Sequence, residues 1–324
     1  MKLINKLMNM KAISVLLIVA LTGALAIDLK SQSIATNLND SRIDLETLNS
    51  RIEQLYVTED VNALTSLYAS QFTFFPEYKP AIFEIKTLNK FFKDWFTAGE
   101  VKMYRKKIAV VEAYADHLLE VGTFIFHYSS IKNPQGEYKG NYMVLWKSDN
   151  KGKLSILSET FGADTYIEPE VVPYADVPVE ETNFTAIGNV NKKLIAEVEE
   201  FDAVVLKAVA NGDGKVRADG FTTDAILLSS FDSIHMGMET IRPKMLKTYT
   251  PTMSFIVKHN YNTIYDLGEY VFVTGQYKGG WGDSTKGGRF EGNMANLLKR
   301  TKKGELLMHR QAGNRDRKLM LFNN

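Results

Sequence analysis

The chain has 324 residues, 45% of them hydrophobic, and a formal net charge of +1, which is apolar material for two cores at about 100–200 residues per domain. Without Lys2, Lys6 and Lys11 the balance is 36 basic to 38 acidic side chains, a net of −2, so neither nucleic acid nor an anionic membrane is expected as a partner. There is no cysteine, which excludes disulfides, thiol catalysis, thiolate metal sites and anchoring through a lipidated cysteine.

The N-terminus reads as a secretory signal, residues 1–26. Lys2, Lys6 and Lys11 form the basic part, Ala12 to Leu21 the apolar part, and Ala24-Leu25-Ala26 the small-x-small cleavage site. The uncharged run Ala12 to Ile27 is 16 residues, short of the ~20 that a spanning helix needs. Cleavage is expected after Ala26, which leaves no membrane span in the mature chain and places it in the periplasm or outside the cell.

After a polar stretch, Ser31 to Asp40, comes an amphipathic helix. Leu45, Leu48, Ile52 and Leu55 share one face, and Val198, Phe201, Val205 and Ala208 repeat that spacing 153 residues later. Each helix meets a break, Thr58-Glu59-Asp60 or Asn211-Gly212-Asp213. A short second helix follows, Val61 to Tyr68 or Gly214 to Phe221, with Asp60 or Asp213 as its expected N-cap. A short strand is expected next, Phe72 to Phe75 or Ala225 to Leu228, and then a third helix. That helix carries Leu88, Phe91, Phe92 and Trp95 in the first copy and Ile241, Met245 and Tyr249 in the second, with Pro243 suited to its first turn.

The rest of each copy is strand-rich. Its clearest part is Glu137 to Ile156, which recurs as Arg289 to Met308. Extended to Asp164 and Asp316, the two align without a gap over 28 residues with eight identities, among them Gly140/Gly292, Asn141/Asn293 and Gly152/Gly304. Lys151-Gly152 and Lys303-Gly304 are the hairpin turns, and Gly122 and Gly275, inside matched strands, predict a bulge or bend. Lys278 to Asp283 and Lys286 to Gly288 read as a flexible glycine-rich lip carrying Trp281. The chain is therefore a tandem repeat, with domains at 41–164 and 191–316. An acidic, proline-containing linker joins them at 165–190, where Val171-Val172 and Tyr174 are candidates to dock. A tail at 317–324 has an apolar patch, Leu319 to Phe322, expected to pack back.

Helices followed by a mostly antiparallel sheet is an α+β pattern, here two cones, each of about three helices on a curved sheet. Four features together resemble the nuclear transport factor 2 superfamily in its SnoaL-like and ketosteroid-isomerase-like branch. They are the opening helix, the segment Asn211 to Ala225, the helix start Met238 to Pro243, and the two closing strands around a Lys-Gly turn. The resemblance implies a pocket at the open end of each cone and pairing through the outer faces of the sheets, here an intramolecular pseudo-dimer. It also implies a test. The isomerases of this fold use a carboxylate base and a tyrosine–aspartic acid oxyanion hole. The base position falls near Pro76 and Ser229, with Glu77 beside the first. The tyrosine position falls on Ile52 and Val205, and the oxyanion position on Val144 and Asn296. That catalytic set does not carry over.

Other polar residues lie on cavity-forming elements of the second copy. His259, Tyr261 and Asn296 are the acid–base and oxyanion candidates. Tyr249, Asn293, His309 and Arg310, with Trp95 and Phe92 in the first copy, are the ligand-pocket candidates, and His235 lies nearby. Lys106, Ile108 and Val144 replace His259, Tyr261 and Asn296 in the first copy. No metal-ligand spacing or phosphate loop is present, so no metal or cofactor is expected. The leading reading is an exported protein that binds a small apolar molecule without catalysis. One alternative is an enzyme (isomerase, dehydratase or hydrolase) working on a small hydrophobic substrate in the second copy, and another is a structural or protein-interaction module. Because the repeat satisfies pairing internally, the mature chain is expected to be monomeric by light scattering. A stable homodimer at micromolar concentration would contradict this.

Overall fold

Each copy breaks its opening helix with a left-handed residue, Glu59 at φ 56° and Gly212 at φ 62°. Glycine adopts that conformation freely and glutamate does so at a cost. The following aspartates then cap the second helix, Asp60 Oδ1 accepting from the Ala63 N–H at 2.9 Å and Asp213 Oδ1 from the Val216 N–H at 2.9 Å. This computed structural model describes residues 42, 44–180, 191–283 and 285–323. The expected signal segment and linker residues 181–190 lie outside the described residues.

The chain divides into two units, Met1–Leu48 and Asn49–Asn324. Of the first, residues 42 and 44–48 are helical, with an Arg42–Glu46 ion pair at 3.0 Å. The second holds both copies. The first copy runs α1 (residues 49–57), α2 (Val61–Thr65), β1 (Tyr68–Phe75), α3 (Ile85–Ala98), β2 (Gly99–Tyr114), β3 (His117–Ser130), β4 (Gly136–Ser148) and β5 (Leu154–Ala163). The second runs α4 (Lys192–Ala210), α5 (Gly214–Asp219), β6 (Phe221–Leu228), β7 (His235–Met236), α6 (Met238–Thr248), β8 (Ser254–Asp266), β9 (Tyr270–Gly282), β10 (Lys286–Arg300) and β11 (Leu306–Arg315). A last strand, β12 (Met320–Asn323), follows.

The sheets are ordered β1-β5-β4-β3-β2 and β7-β6-β11-β10-β9-β8, with β12 beside β10. Among the described residues only β1–β5 and β6–β11 are parallel pairs. The bulges recur at matched places. Ala109 and Asn262 are the extra residues opposite Gly122 and Gly275, and Leu157 and His309 are the extra residues opposite Leu145 and Leu297. A bulge increases local twist and bends the strand, so the same two bends curve each sheet. A Cβ at Gly122 would stand 2.3 Å from the Lys107 carbonyl oxygen, and one at Gly275 would stand 2.5 Å from that of Asn260. The turn glycines Gly152 and Gly304 have φ 78° and 85°.

Several expectations need correction. The second helices stop at Thr65 and Asp219, because Tyr68 and Phe221 are already paired into the sheets. Pro243 lies inside α6, which starts earlier, after Gly237 at φ 74°. The glycine-rich lip is the paired end of β9 and β10, from Gly279–Phe290 to Gly282–Gly287. The tail does return, as β12 along Lys286 to Arg289, but Met320 and Leu321 stay exposed on that edge. Val172 and Tyr174 are buried as expected, and so is Val177.

The helices cover the concave face of each sheet. The convex faces pack on one another as a sheet-on-sheet core. Tyr114, Leu119, Val121, Met143, Leu145 and Leu157 of the first copy meet Ile226, Leu228, Phe272, Ala295, Leu297 and Ala312 of the second. Arg310 crosses this seam, donating from Nε to Glu112 Oε2 at 2.9 Å and from Nη2 to Oε1. Asn141 Nδ2 donates to the Asp232 carbonyl at 2.7 Å, and Asn314 Nδ2 donates to the carbonyls of Phe75 and Phe161 at 2.7 and 2.8 Å.

Burial alone would raise the Glu112 carboxyl, but His309, Arg310 and Tyr114 outweigh it and hold the pKa at about 2. A carboxyl depressed in the folded state contributes stability above its unfolded pKa and loses it as pH falls through the folded one. Glu112→Gln should therefore cost about 2 kcal/mol at pH 7, with the gap to wild type narrowing below pH 4.5. Urea unfolding at pH 7 and pH 3.5 measures it; a gap independent of pH would contradict the assignment.

Candidate functional site

The concave side of the second sheet holds a polar group of residues inside an apolar shell. Strand alternation fixes which side chains face inward. Leu298 belongs to the core under the helices, while Ala295 and Leu297 belong to the seam. Met294 and Asn296 therefore face the cone, and Asn293 faces the seam. On β8, His259 and Tyr261 face α4, where Asp202 accepts or shares the His259 Nδ1 hydrogen at 2.7 Å. With the carboxylate as acceptor, Nδ1 carries the hydrogen and Nε2 is the basic nitrogen. Burial first, and then the Asp202 charge, push the Tyr261 hydroxyl far above the usual tyrosine range. At neutral pH it is a proton donor.

Arg217, on α5, is buried beneath this group. Its guanidinium lies 4.4 Å from the centroid of the Phe221 ring and donates from Nη2 to Gln311 Oε1 at 2.8 Å. Burial pushes its pKa down, while Tyr249 and Asp202 push it up. Gln311 pairs in register with Asn296. Arg217 Nη1, the Tyr261 hydroxyl and Asn296 Oδ1 are buried with no hydrogen bond of good geometry, Tyr249 lying near the guanidinium and Asp202 near the Tyr261 hydroxyl, and both amide atoms of Asn262 at the bulge are likewise unpaired. Leaving a buried polar atom unpaired costs on the order of 1–3 kcal/mol, so this cone carries unmet hydrogen-bonding demand. A groove of about 500 Å³ opens against the same helices, walled by Phe201, Val205, Val216, Leu306 and Leu307. Phe201 and Leu306 also belong to the core of this cone. A second hollow of about 530 Å³ lies at the far hairpin end, beside Met253, Ile256 and Trp281. Neither is lined by His259, Tyr261 or Asn296.

The first cone has the same plan with different contents. Asn49, Lys106 and Glu159 take the places of Asp202, His259 and Gln311. Glu120 is fully buried and satisfied. It accepts from Asn49 Nδ2 at 2.6 Å, the Tyr142 hydroxyl at 2.5 Å and Trp146 Nε1 at 2.9 Å, with Lys106 Nζ at 3.4 Å. Glu159 accepts from the Tyr68 hydroxyl, and burial raises its carboxyl against the pull of Lys106. Sequence reasoning missed this cluster. The signal available was a lysine and two glutamates on otherwise apolar strands.

Of the pocket candidates, Tyr249 remains at the second cone, its ring 5.3 Å from that of Phe255. Asn293, His309 and Arg310 lie in the seam instead. Asn293 Nδ2 donates to Asn314 Oδ1 at 3.1 Å, and His309 Nδ1 meets Thr222 Oγ1 at 3.0 Å with Nε2 3.4 Å from Glu112. Trp95 and Phe92 are buried in the aromatic packing of the first cone, around Tyr56 and Phe126. His235 pairs with Asp232 at 2.9 Å, beside Lys244. Glu77, next to the expected base position, is fully buried. Its Oε2 accepts from the Ala163 N–H at 2.9 Å and the Tyr138 hydroxyl at 3.0 Å. Among the described residues no cluster of three metal-ligating side chains occurs, and no helix is long and apolar enough to cross a membrane.

Solved structures with a similar fold include three examples. A ketosteroid isomerase-like protein from Erwinia carotovora atroseptica matches at 16% identity and TM-score 0.34, over 39% of this chain and 98% of its own. An NTF-2 like protein of unknown function from Shewanella oneidensis matches at 13% and 0.32, over 37% and 98%. ActVI-ORFA from Streptomyces coelicolor matches at 15% and 0.35, over 39% and 98%. Each match spans roughly the length of one copy. The tandem itself rests on the matched caps, bulges and turns. No protein-family model and no curated protein matches the chain.

Burial raises the Glu77 carboxyl to about 7, against the Ala163 N–H, Tyr138 and Arg315. The folded state then keeps a proton that the unfolded chain releases near 4.5, so stability falls as pH rises from 4.5 to 7 and is level above that. Oε1 has no partner, so Glu77→Gln can place its NH₂ there and keep both bonds to the carbonyl oxygen. It should match wild type near pH 4.5 and exceed it by up to about 3 kcal/mol at pH 8. Equal urea midpoints at both pH values would contradict this.

Proposed function

We propose that this is an exported small-molecule-binding protein whose working site is the second cone, and that it holds its ligand without transforming it. The observation that carries the proposal is the poorly met hydrogen-bonding demand of Arg217 Nη1, the Tyr261 hydroxyl and Asn296 Oδ1 inside the apolar shell of the second cone. The ketosteroid isomerase-like fold, whose cone suits a small molecule, supports it. The ligand is small and mainly apolar, with an oxygen acceptor for Arg217 and Tyr261. Binding without turnover is supported by the residues at the base positions: Pro76 and Ser229 are not carboxylates, and Glu77 is buried in the other copy. The signal-like pattern of residues 1–26 supports export.

A second reading, catalysis in the same cone, is favoured by the His259–Asp202 pair, which leaves Nε2 as a base next to a proton-donating tyrosine. Native mass spectrometry of the protein purified from the exported fraction of its own cells tests the first reading. A small molecule should co-purify and come off chemically unchanged after prolonged incubation. Arg217→Met, folded by circular dichroism, should bind it at least ~10-fold more weakly, the value of one charge-assisted hydrogen bond. A clean protein mass would overturn the binding proposal. Conversion of the bound molecule, abolished in His259→Ala, would replace it with the second reading.

A further inference from the structure

The groove between α4, α5 and the β10–β11 turn differs from the matched surface of the first copy, and the repeat shows where. Its floor is ordinary: Phe201, Val205 and Leu306 match Leu48, Ile52 and Leu154, apolar in both copies. Its banks are not. Val204, Val216 and Leu307 stand where the first copy has Arg51, Ala63 and Ser155. Val204 keeps 58% of its surface exposed and Val216 43%, so packing within the copy gives no reason for valine at either. Apolar side chains gathered along an open groove are the pattern of a surface that another molecule covers.

The rim changes in charge as well. At its five matched positions the first copy carries Asp44, Thr47, Ser66, Lys151 and Lys153, and the second carries Glu197, Glu200, Asp219, Lys303 and Glu305, a change from +1 to −3. Two of these acids serve the fold. Arg300 holds Glu197 through Nε at 2.6 Å and Nη2 at 2.8 Å, which clamps α4 to β10 and keeps the groove preformed. Lys215 and Arg242 hold Asp219 at 3.0 and 2.7 Å. Glu200 and Glu305 have no ion pair among the described residues and are the charges left for a partner. The walls decide the partner's form. β10 and β11 are each paired on both sides, so an extended peptide finds no free strand edge here. The groove instead offers apolar side chains beside a helix, which is what the apolar stripe of an amphipathic helix packs against. From Glu197 to Val205 this wall runs about 12 Å, or about two turns.

We propose that the groove is the docking site for an amphipathic helix of another protein, apolar on one face and flanked by lysine or arginine. The proposal goes beyond small-molecule binding, because the groove lies outside the polar group of the second cone. The probe is a synthetic peptide of about 14 residues, long enough to form a helix, with leucine at every third or fourth position and lysine elsewhere. Its controls are the same peptide with glutamate for lysine and a scrambled peptide of the same composition. By fluorescence anisotropy the full-length protein should bind the lysine peptide at least ~10-fold more tightly than either control. The bound peptide should slow amide hydrogen exchange in residues 197–205, 214–220 and 303–307. Val216→Ala with Leu307→Ser, the first copy's residues at those places, changes no charge and should weaken binding at least ~10-fold. Glu200→Lys with Glu305→Lys should turn the preference towards the glutamate peptide. Equal binding of the lysine and scrambled peptides overturns the proposal, as does unchanged affinity in the folded Val216→Ala, Leu307→Ser protein. Should that variant not fold, the wild-type exchange map decides, and protection outside the groove overturns the assignment. Protection of the same residues that grows with protein concentration in the absence of peptide gives the groove to a second copy of this chain instead.

Discussion

The two curved sheets are packed back to back, and the rest of the molecule follows from that contact. A sheet curved by matched bulges has one concave face for helices and one convex face that must be covered. Here the convex face of each copy covers that of the other, through Met143, Leu145 and Leu157 against Ala295, Leu297 and Ala312. The Glu112–Arg310 bridge, with His309 beside it, fixes the register of one sheet on the other. A buried pair of this kind is costly to break from one side, so the polar residues of the seam are committed to structure.

With the seam satisfying both backs, the two cones have been free to differ inside. The first is closed by the Tyr56, Phe92, Trp95 and Phe126 packing, by the satisfied Glu120 cluster, and by Tyr174 from the linker. The second replaces Lys106 and Asn49 with His259 and Asp202, and it introduces Arg217 where the first copy has Leu64. Its polar atoms are only partly paired. A half-satisfied polar interior is worse for stability than an apolar one, and that imbalance is the physical reason for placing the working site there.

Much of this was legible in the sequence. Asp60 and Asp213 cap helices, Gly152 and Gly304 make the turns, and the repeat fixes the order of elements. Strand period showed that His259 and Tyr261 share a face and that Asn293 and Asn296 do not, but period 2 cannot say which face is inward. That is why the pattern alone leaves Asn293 and Arg310 as pocket candidates when they belong to the seam. At His309 the bulge breaks the alternation altogether. The first-copy charge cluster stayed hidden because burial of Lys106, Glu120 and Glu159 depends on Tyr68, Tyr142 and Trp146 arriving from other strands. Pro243 suits a first turn by residue type, whereas here the helix starts at Met238, five residues before it, after the Gly237 cap.

Native-state hydrogen exchange tests most directly whether the seam makes the two copies one unit. Amides at the centres of β4 and β10, one in each sheet, should open with the same free energy, that of global unfolding, because neither sheet keeps a covered back without the other. If β10 exchanges through a lower-energy opening while β4 stays protected, the copies are independent domains and the seam does not govern the structure.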